Sequence, residues 1–295
     1  MVYRKLKEKK ITMLKIKEIK AKTIIVKSGL EVDYVINPYV GCQHSCIYCY
    51  ARFMKRFTGH HEPWGKFVDV KINAAELIPQ NTKKYKNKSI LISSVTDAYQ
   101  PIERKYKLMR GILKNLIPLE PNLSVLTKSD LITRDVDLLK QFKKCLVGVS
   151  LSLLDDKIRK EVEPFTSSVE KRIEAIKQLK KAGIRTFIFI SPMFPHLTDW
   201  QQIVTKTKNY VDEYWFENLN LYPSIRTNTF QWLKNHHPEL VQKYREIYFT
   251  PLDKNHLMGQ AKNNYWNDVE KEIENYGKKN NLNFKIYFHH SIKEK

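Results

Sequence analysis

NPYVGCQHSCIYCYARF, residues 37–53, holds three of the chain's four cysteines in the spacing Cys-x3-Cys-x2-Cys, at Cys42, Cys46 and Cys49. Asn37-Pro38 ends any regular element that runs into it, because proline has no backbone donor and pushes the preceding residue to an extended conformation. Just upstream, residues 32–36 (VDYVI) read as a β-strand. The cysteines therefore belong to a loop that leaves the carboxyl end of a strand. Clustered cysteines point to metal or redox chemistry, since a disulfide framework needs more of them, spread more widely.

Three thiolates on one short loop can wrap one face of a 4Fe–4S cluster and leave its fourth iron without a protein ligand. Iron–sulfur clusters otherwise take four cysteines, so an incomplete set is itself a signal. The open iron can chelate the amino and carboxylate groups of S-adenosylmethionine and pass an electron to its sulfonium, releasing a 5′-deoxyadenosyl radical. Zinc and plain burial remain alternatives. A structural zinc site wants four ligands; His44 is a cramped candidate, and no second Cys-x2-Cys or His-x3-His pair occurs. Burial without ligation suits Cys145 in its apolar run, but not three cysteines flanked by Gly41, His44 and tyrosines.

Outward from the loop, strand and helix signals alternate. Strands are expected at 89–95 (continuously apolar, as in a strand covered on both faces), 123–127, 145–151, 185–191 and 214–219. Helices are expected at 106–116, 135–143, 169–182 and 200–211. The helix at 169–182 carries Val169, Ile173, Ile176 and Leu179 on one stripe, a Ser167/Glu170 capping box, and Gly183 just past its end. Beyond 220 the pattern is irregular and aromatic-rich until a last strand at 284–288. Polar residues close successive strands: Ser93, Ser94, Thr96 and Asp97, then Lys128, then Ser150 and Ser152, then Ser191, then Asn218 and Asn220. Barrels place their chemistry at these carboxyl ends. The class is α/β, and a partial (β/α)6 TIM-like barrel, or a small (β/α)8-type barrel, accounts for the pattern better than a doubly wound sheet. The expected organisation is a basic N-terminal segment (1–30), a barrel core (31–220) and a C-terminal extension packed on it (221–295).

Lys and Arg number 52 against 31 Asp and Glu, a net charge of +21. Such charge attracts nucleic acid, anionic membrane surfaces or phosphorylated substrates, although a uniformly lysine-rich surface has the same origin. No stretch approaches the roughly 18 apolar residues of a membrane helix. The basic N-terminus lacks the apolar run of a secretion signal, so no membrane contact and a cytoplasmic location are expected. Neither a Walker-type phosphate loop nor GxGxxG occurs. The pairs His60–His61, His236–His237 and His289–His290 lack a spacing that specifies a second metal and read as surface or loop residues.

Several stretches resemble the radical S-adenosylmethionine superfamily and, more narrowly, its spore photoproduct lyase-like branch. They are NPYVGCQHSCIYCYAR (37–52), EPWGKFVDVK (62–71), SSVTDAYQPIE (93–103), LTKSDLITRD (126–135), VSLSLLDDKIRKEVEP (149–164) and RIEAIKQLKKAGI (172–184). The resemblance spans about residues 30–220. It implies the partial barrel, a 4Fe–4S cluster on Cys42, Cys46 and Cys49, and S-adenosylmethionine laid across the strand ends. The cofactor contacts it implies are Tyr48, Thr96, Asp97, Lys128, Ser150, Ser152, Ser191 and Met193. It further suggests a Glu163–Arg172 pair reaching the cofactor, the alternative being a solvated pair at a helix start. A reductant such as flavodoxin or ferredoxin would supply the electron. The branch's namesake returns a hydrogen atom from a cysteine near the carboxyl end of its second strand; residues 93–97 contain none, so the resemblance implies kinship rather than dimer repair.

The expected activity is hydrogen abstraction in a lyase or other radical-type transformation, with no catalytic residue assigned. Charge and kinship favour a substrate that is DNA, RNA or a nucleotide. The alternatives are the same chemistry on a peptide, protein or small metabolite, and a non-enzymatic metal-bearing nucleic-acid-binding protein. Tyr214, Trp215, Phe216, Tyr222, Phe230, Trp232, Tyr265 and Trp266 are candidates to enclose a substrate, base stacking being one use of such rings.

Overall fold

The computed structural model describes residues 13–80, 82–249 and 264–289. Its strands are β1 (Lys15–Ile19), β2 (Ile25–Lys27), β3 (Tyr34–Ile36), β4 (Tyr39–Val40), β5 (Phe67–Lys71), β6 (Ser89–Ile92), β7 (Asn122–Thr127), β8 (Lys144–Ser150), β9 (Arg185–Met193), β10 (Glu213–Asn218) and β11 (Phe284–Ile286). Eight of them form one sheet in the order β11-β10-β9-β8-β7-β6-β3-β2. Every neighbouring pair from β3 to β11 is parallel, and β2 alone runs antiparallel, on β3. Parallel neighbours need crossovers, usually helical. These are α1 (Glu103–Tyr106) with α2 (Leu108–Leu116), α3 (Val136–Leu139), α4 (Asp156–Val162) with α5 (Val169–Lys181), and α6 (Trp200–Thr207). The run β3, β6, β7, β8, β9, β10 is the expected six-strand partial barrel, and among the described residues β2 and β11 are its open edges.

The order of the strands follows from what each can bury. Leu123, Val125 and Thr127 alternate as the buried positions of β7, while Val147 to Ser150 of β8 are buried on both faces. Gly148 is required where β8 meets β9. It is in register with Phe187, and a Cβ there would stand 2.1 Å from the Phe187 ring.

The local differences from expectation have local causes. Lys107, in the left-handed region at φ 53°, splits the expected 106–116 helix into α1 and α2. Of the helix expected at 135–143 only the short α3 forms; a 3₁₀ turn at Asp130–Asp135 precedes it, and residues 140–143 are turn and bend. The α5 cap is Ser168, whose hydroxyl accepts from Lys171 N at 3.3 Å. Ser167 sits one residue too early for the capping box and instead accepts from Asp130 N at 2.9 Å. Gly183 does take the left-handed position, at φ +80°, that ends α5.

Two regions were not legible. A second sheet, β1-β5-β4, precedes and follows the cysteine loop in sequence; β1 (KIKEI) is almost wholly exposed, so its alternation reads as a charged tail. The stretch beyond 220 contains α7 (Pro223–His236), α8 (Val241–Tyr248) and α9 (Tyr265–Lys279), not irregular chain. Its buried positions mix Ile225, Leu233, Ile247 and Ile273 with Thr229, Trp232, Tyr244, Tyr248 and Trp266, and the aromatic and polar members blur a helical stripe. No helix among the described residues is long and apolar enough to cross a membrane.

Gly148→Ala will force Phe187 or the β8–β9 pairing to shift. Overpacking of this kind costs about 1–3 kcal/mol, and urea denaturation should show a lowered midpoint with an unchanged slope.

Candidate active site

The cysteine loop leaves β3 and is clamped from three sides. Asn37 Oδ1 accepts from Ser94 N at 3.0 Å and Val95 N at 3.1 Å, which ties the loop's start to the end of β6. Thr96 Oγ1 donates to Gly41 O at 2.6 Å, and buried Gln100 accepts from Gln43 N at 2.6 Å. Gly41 holds φ +85° against β5, where a Cβ would meet Phe67 O at 2.5 Å. Ile47 N donates to Val162 O at 2.9 Å, joining the loop to the end of α4.

Cys42 and Cys46 are buried and Cys49 is half-buried. Burial pushes the Cys46 and Cys49 thiols up, the latter to about 11, and the Cys42 sulfur adds to both shifts. The Lys128 ammonium pulls the other way on both but does not prevail. These thiols therefore hold their protons unless a metal replaces them. No three His, Cys, Asp or Glu side chains among the described residues stand at the spacing of a single-ion cage. Cys145 lies at the opposite, amino-terminal end of β8, half-buried against the core, with its thiol raised to about 12 by burial.

His44 and Asp97 form the loop's ionic brace. Their nearest atoms, His44 Nδ1 and Asp97 Oδ2, are 3.3 Å apart, an ion-pair distance without hydrogen-bond alignment. Burial disfavours the imidazolium, but Asp97 and the Cys42 sulfur outweigh it and raise His44 to about 9. Asp97 accepts from Thr127 Oγ1, Lys128 N and Tyr99 N, each at 2.8 Å. Burial resists its ionisation too, yet His44 and these donors hold it at about 2. Thr96 and Asp97 thus spend their polar atoms on the cysteine loop and the β7 end.

Tyr48, Glu163 and Arg172 make a second buried chain. The Tyr48 hydroxyl donates to Glu163, and Glu163 pairs with Arg172. Arg172 also donates to Ser150 O and Ser167 O, both at 2.9 Å, and to Thr166 Oγ1. Glu163 and Arg172 are each 1% exposed, which rules out a solvated pair at a helix start. Lys128 Nζ stands 5.8 Å from the Tyr48 ring centre. Burial opposes ionisation of Glu163, but Arg172 and Lys128 hold it below its ordinary value.

The structure therefore brings Tyr48, Lys128 and Ser150 together around Glu163. Ser150 Oγ donates to Ser191 O at 3.0 Å, and the Ser191 hydroxyl donates to Glu217. Met193 is buried beside them, its carbonyl accepting from Leu219 N at 3.1 Å. Ser152 Oγ, Gln43 Oε1 and Arg52 Nε are buried side-chain atoms without a partner. Glu217 was missed; the signal was a carboxylate near a strand's carboxyl end, beside Asn218. It also meets His289 Nε2 at 3.2 Å.

Other expectations change. Tyr214, Phe216 and Trp232 are buried in the core, Trp266 is buried but lines a cleft with Met193 and Tyr265, and Tyr222 is 40% exposed. His60 is no free surface residue but bridges Glu62 at 3.1 Å and Asp69 at 2.9 Å. His290 lies outside the described residues.

A six-strand parallel sheet with a three-cysteine loop at the end of its first strand defines a class. Residues 36–205 match the model of the radical SAM superfamily, and the chain belongs to that superfamily of enzymes. It is 44% identical to the uncharacterized protein MJ0683 of Methanocaldococcus jannaschii over 77% of this chain and 85% of that one. Among solved structures it resembles spore photoproduct lyase complexed with dinucleoside spore photoproduct, with a TM-score of 0.65, 15% identity, and 93% and 82% of the two chains covered. It also resembles Streptococcus suis SuiB bound to S-adenosylmethionine, with a TM-score of 0.54, 15% identity, and 86% and 49% covered.

Glu163→Gln will leave the Arg172 guanidinium buried beside a neutral partner. Breaking a buried pair costs about 3–5 kcal/mol, measurable by urea unfolding near neutral pH. In the wild type this stabilisation is present above the ordinary carboxyl value of 4.5 and is lost as pH falls through the depressed folded value. The stability gap between wild type and variant should therefore be full at neutral pH and narrow only below about pH 4.5.

Proposed function

We propose that Cys42, Cys46 and Cys49 hold a 4Fe–4S cluster, that S-adenosylmethionine binds across the ends of β6 to β10, and that the substrate is a nucleic acid or nucleotide. The observation that carries this reading is the clamped three-cysteine loop leaving β3, with Cys42 and Cys46 buried and Cys49 half-buried, tied by Thr96 and Asn37 to the end of β6. The donor set suits the cluster. A closed structural zinc site wants four ligands, whereas the loop carries three cysteines. A four-iron cube instead takes its thiolates at separate corners. Burial that raises the Cys46 and Cys49 thiols makes metal loading there proton-releasing.

When bound, the pair supplies a 5′-deoxyadenosyl radical by reductive cleavage of S-adenosylmethionine. The chain's own residues do the rest. Lys128 places a cation where a carboxylate would be met, and Glu163, kept ionised by Arg172, faces the same space. Ser152, Gln43 and Arg52 offer polar atoms that the fold leaves without partners, as a polar ligand requires. Cys42 and Cys46 are buried, which limits water at the loop. The electron would come from an acidic carrier such as flavodoxin or ferredoxin.

Two facts support the nucleic-acid substrate: the net charge of +21 and the fold shared with a lyase captured with a dinucleoside. Residues 93–97 (SSVTD) carry no cysteine to return a hydrogen atom, which argues against dimer repair as the second half of the reaction.

Anaerobic reconstitution with iron and sulfide should give brown protein with about four irons per chain. Dithionite and S-adenosylmethionine should then yield 5′-deoxyadenosine, and Cys46→Ala should abolish both the colour and the product. Colourless protein that binds zinc stoichiometrically and never cleaves the cofactor would overturn the proposal.

A further inference from the structure

The 3₁₀ helix at Tyr50–Phe57 begins directly after the third cysteine and buries only Ala51. With three residues per turn, side chains at i and i+3 eclipse one another, so Tyr50, Phe53 and Arg56 fall in one row. The coordinates show that row. The Tyr50 and Phe53 rings lie 6.4 Å apart and 28° from parallel. Arg56 Cζ stands 5.7 Å from the Phe53 ring centre and 4.6 Å from that of Phe57. Tyr50, Phe53 and Phe57 are 48%, 40% and 66% exposed, and an exposed run of large apolar groups marks a contact surface.

Position and charge narrow the occupant. The Tyr50 hydroxyl donates to Ser94 O, just past the end of β6. The first rung therefore lies at that strand end and the others lead outward from it. The segment YARFMKRF contains Arg52, Lys55 and Arg56 and no acidic residue. Ring faces interleaved with cations match the alternation of bases and phosphates along a single strand, where stacking and charge act together.

We infer that Tyr50, Phe53, Arg56 and Phe57 form a stacking platform for an unpaired nucleic-acid strand whose reacting nucleotide enters the strand-end site. This inference rests on the nucleic-acid reading of the substrate. Chemistry on a base requires a single-stranded or extruded nucleotide, so its neighbours must be held outside the site, and the row is where they would lie.

The test is fluorescence anisotropy of the reconstituted full chain with a labelled single strand of mixed sequence, over a range of salt. Phe53→Ala/Phe57→Ala should weaken binding about ten- to hundredfold. Phe53→Tyr/Phe57→Tyr, which keeps both rings, should retain it, and serves should the alanine variant fail to fold. Arg56→Gln should reduce the slope of log affinity against log salt by about 0.7. Unchanged affinity in the alanine variant would overturn the platform and leave the substrate reading standing. A wild type that makes 5′-deoxyadenosine but binds no strand would overturn both. If the alanine variant binds the strand normally but loses reduction by flavodoxin while dithionite still works, the row is a docking face for the electron carrier and the inference fails.

Discussion

The buried pair of Glu163 and Arg172 is the interaction on which the site depends. It gathers the Tyr48 hydroxyl from the cysteine loop, Ser150 O from the end of β8, and Thr166 and Ser167 from the turn before α5. Three segments meet at these two buried charges, the cysteine loop from far away in sequence and the other two from nearby. A pair in such a place gains little net stability, because desolvation offsets the attraction. What it supplies is position: if any one segment moves, a buried charge or donor loses its partner.

The same device recurs across the strand ends. Asp97 joins His44 of the cysteine loop to Thr127 and Lys128 of β7. Glu103, fully buried, accepts from the Tyr39 hydroxyl, from Leu108 N at 3.0 Å and Met109 N at 3.1 Å, and from Arg134 at 2.6 Å. Buried carboxylates are thus placed where loops must be held relative to one another. Apolar packing holds the sheet, but it is non-directional and cannot by itself set the orientation of a three-thiol loop. Directional bonds to buried charges do so.

The polar residues at the strand ends divide into two kinds. Thr96 and Asp97 turn toward the protein and brace the loop, whereas Lys128 and Ser152 keep an ammonium and an unpartnered hydroxyl for the interior space. Ser150, Ser191 and Glu217 run between β8, β9 and β10 as one hydrogen-bonded series. The carboxyl ends of β8, β9 and β10 are therefore polar and already tied to one another by hydrogen bonds.

The sequence by itself determined the parallel strand order, the cysteine loop and the set of polar strand ends. Those signals are local: continuous apolar runs mark strands covered on both faces, and three thiols within eight residues need no distant partner to be noticed. It also carried the α5 stripe and Gly183, though it placed the cap on Ser167 in place of Ser168, because a one-residue offset leaves the pattern almost unchanged. Tertiary structure alone decided which polar groups brace and which stay open, since a carboxylate such as Asp97 or Glu163 reads the same in sequence whether its partner is water or a buried cation. It likewise decided that Trp232 and Trp266 are core while Phe53 and Phe57 face solvent. Aromatic rings serve both places equally well, and only the packing around each one says which it occupies.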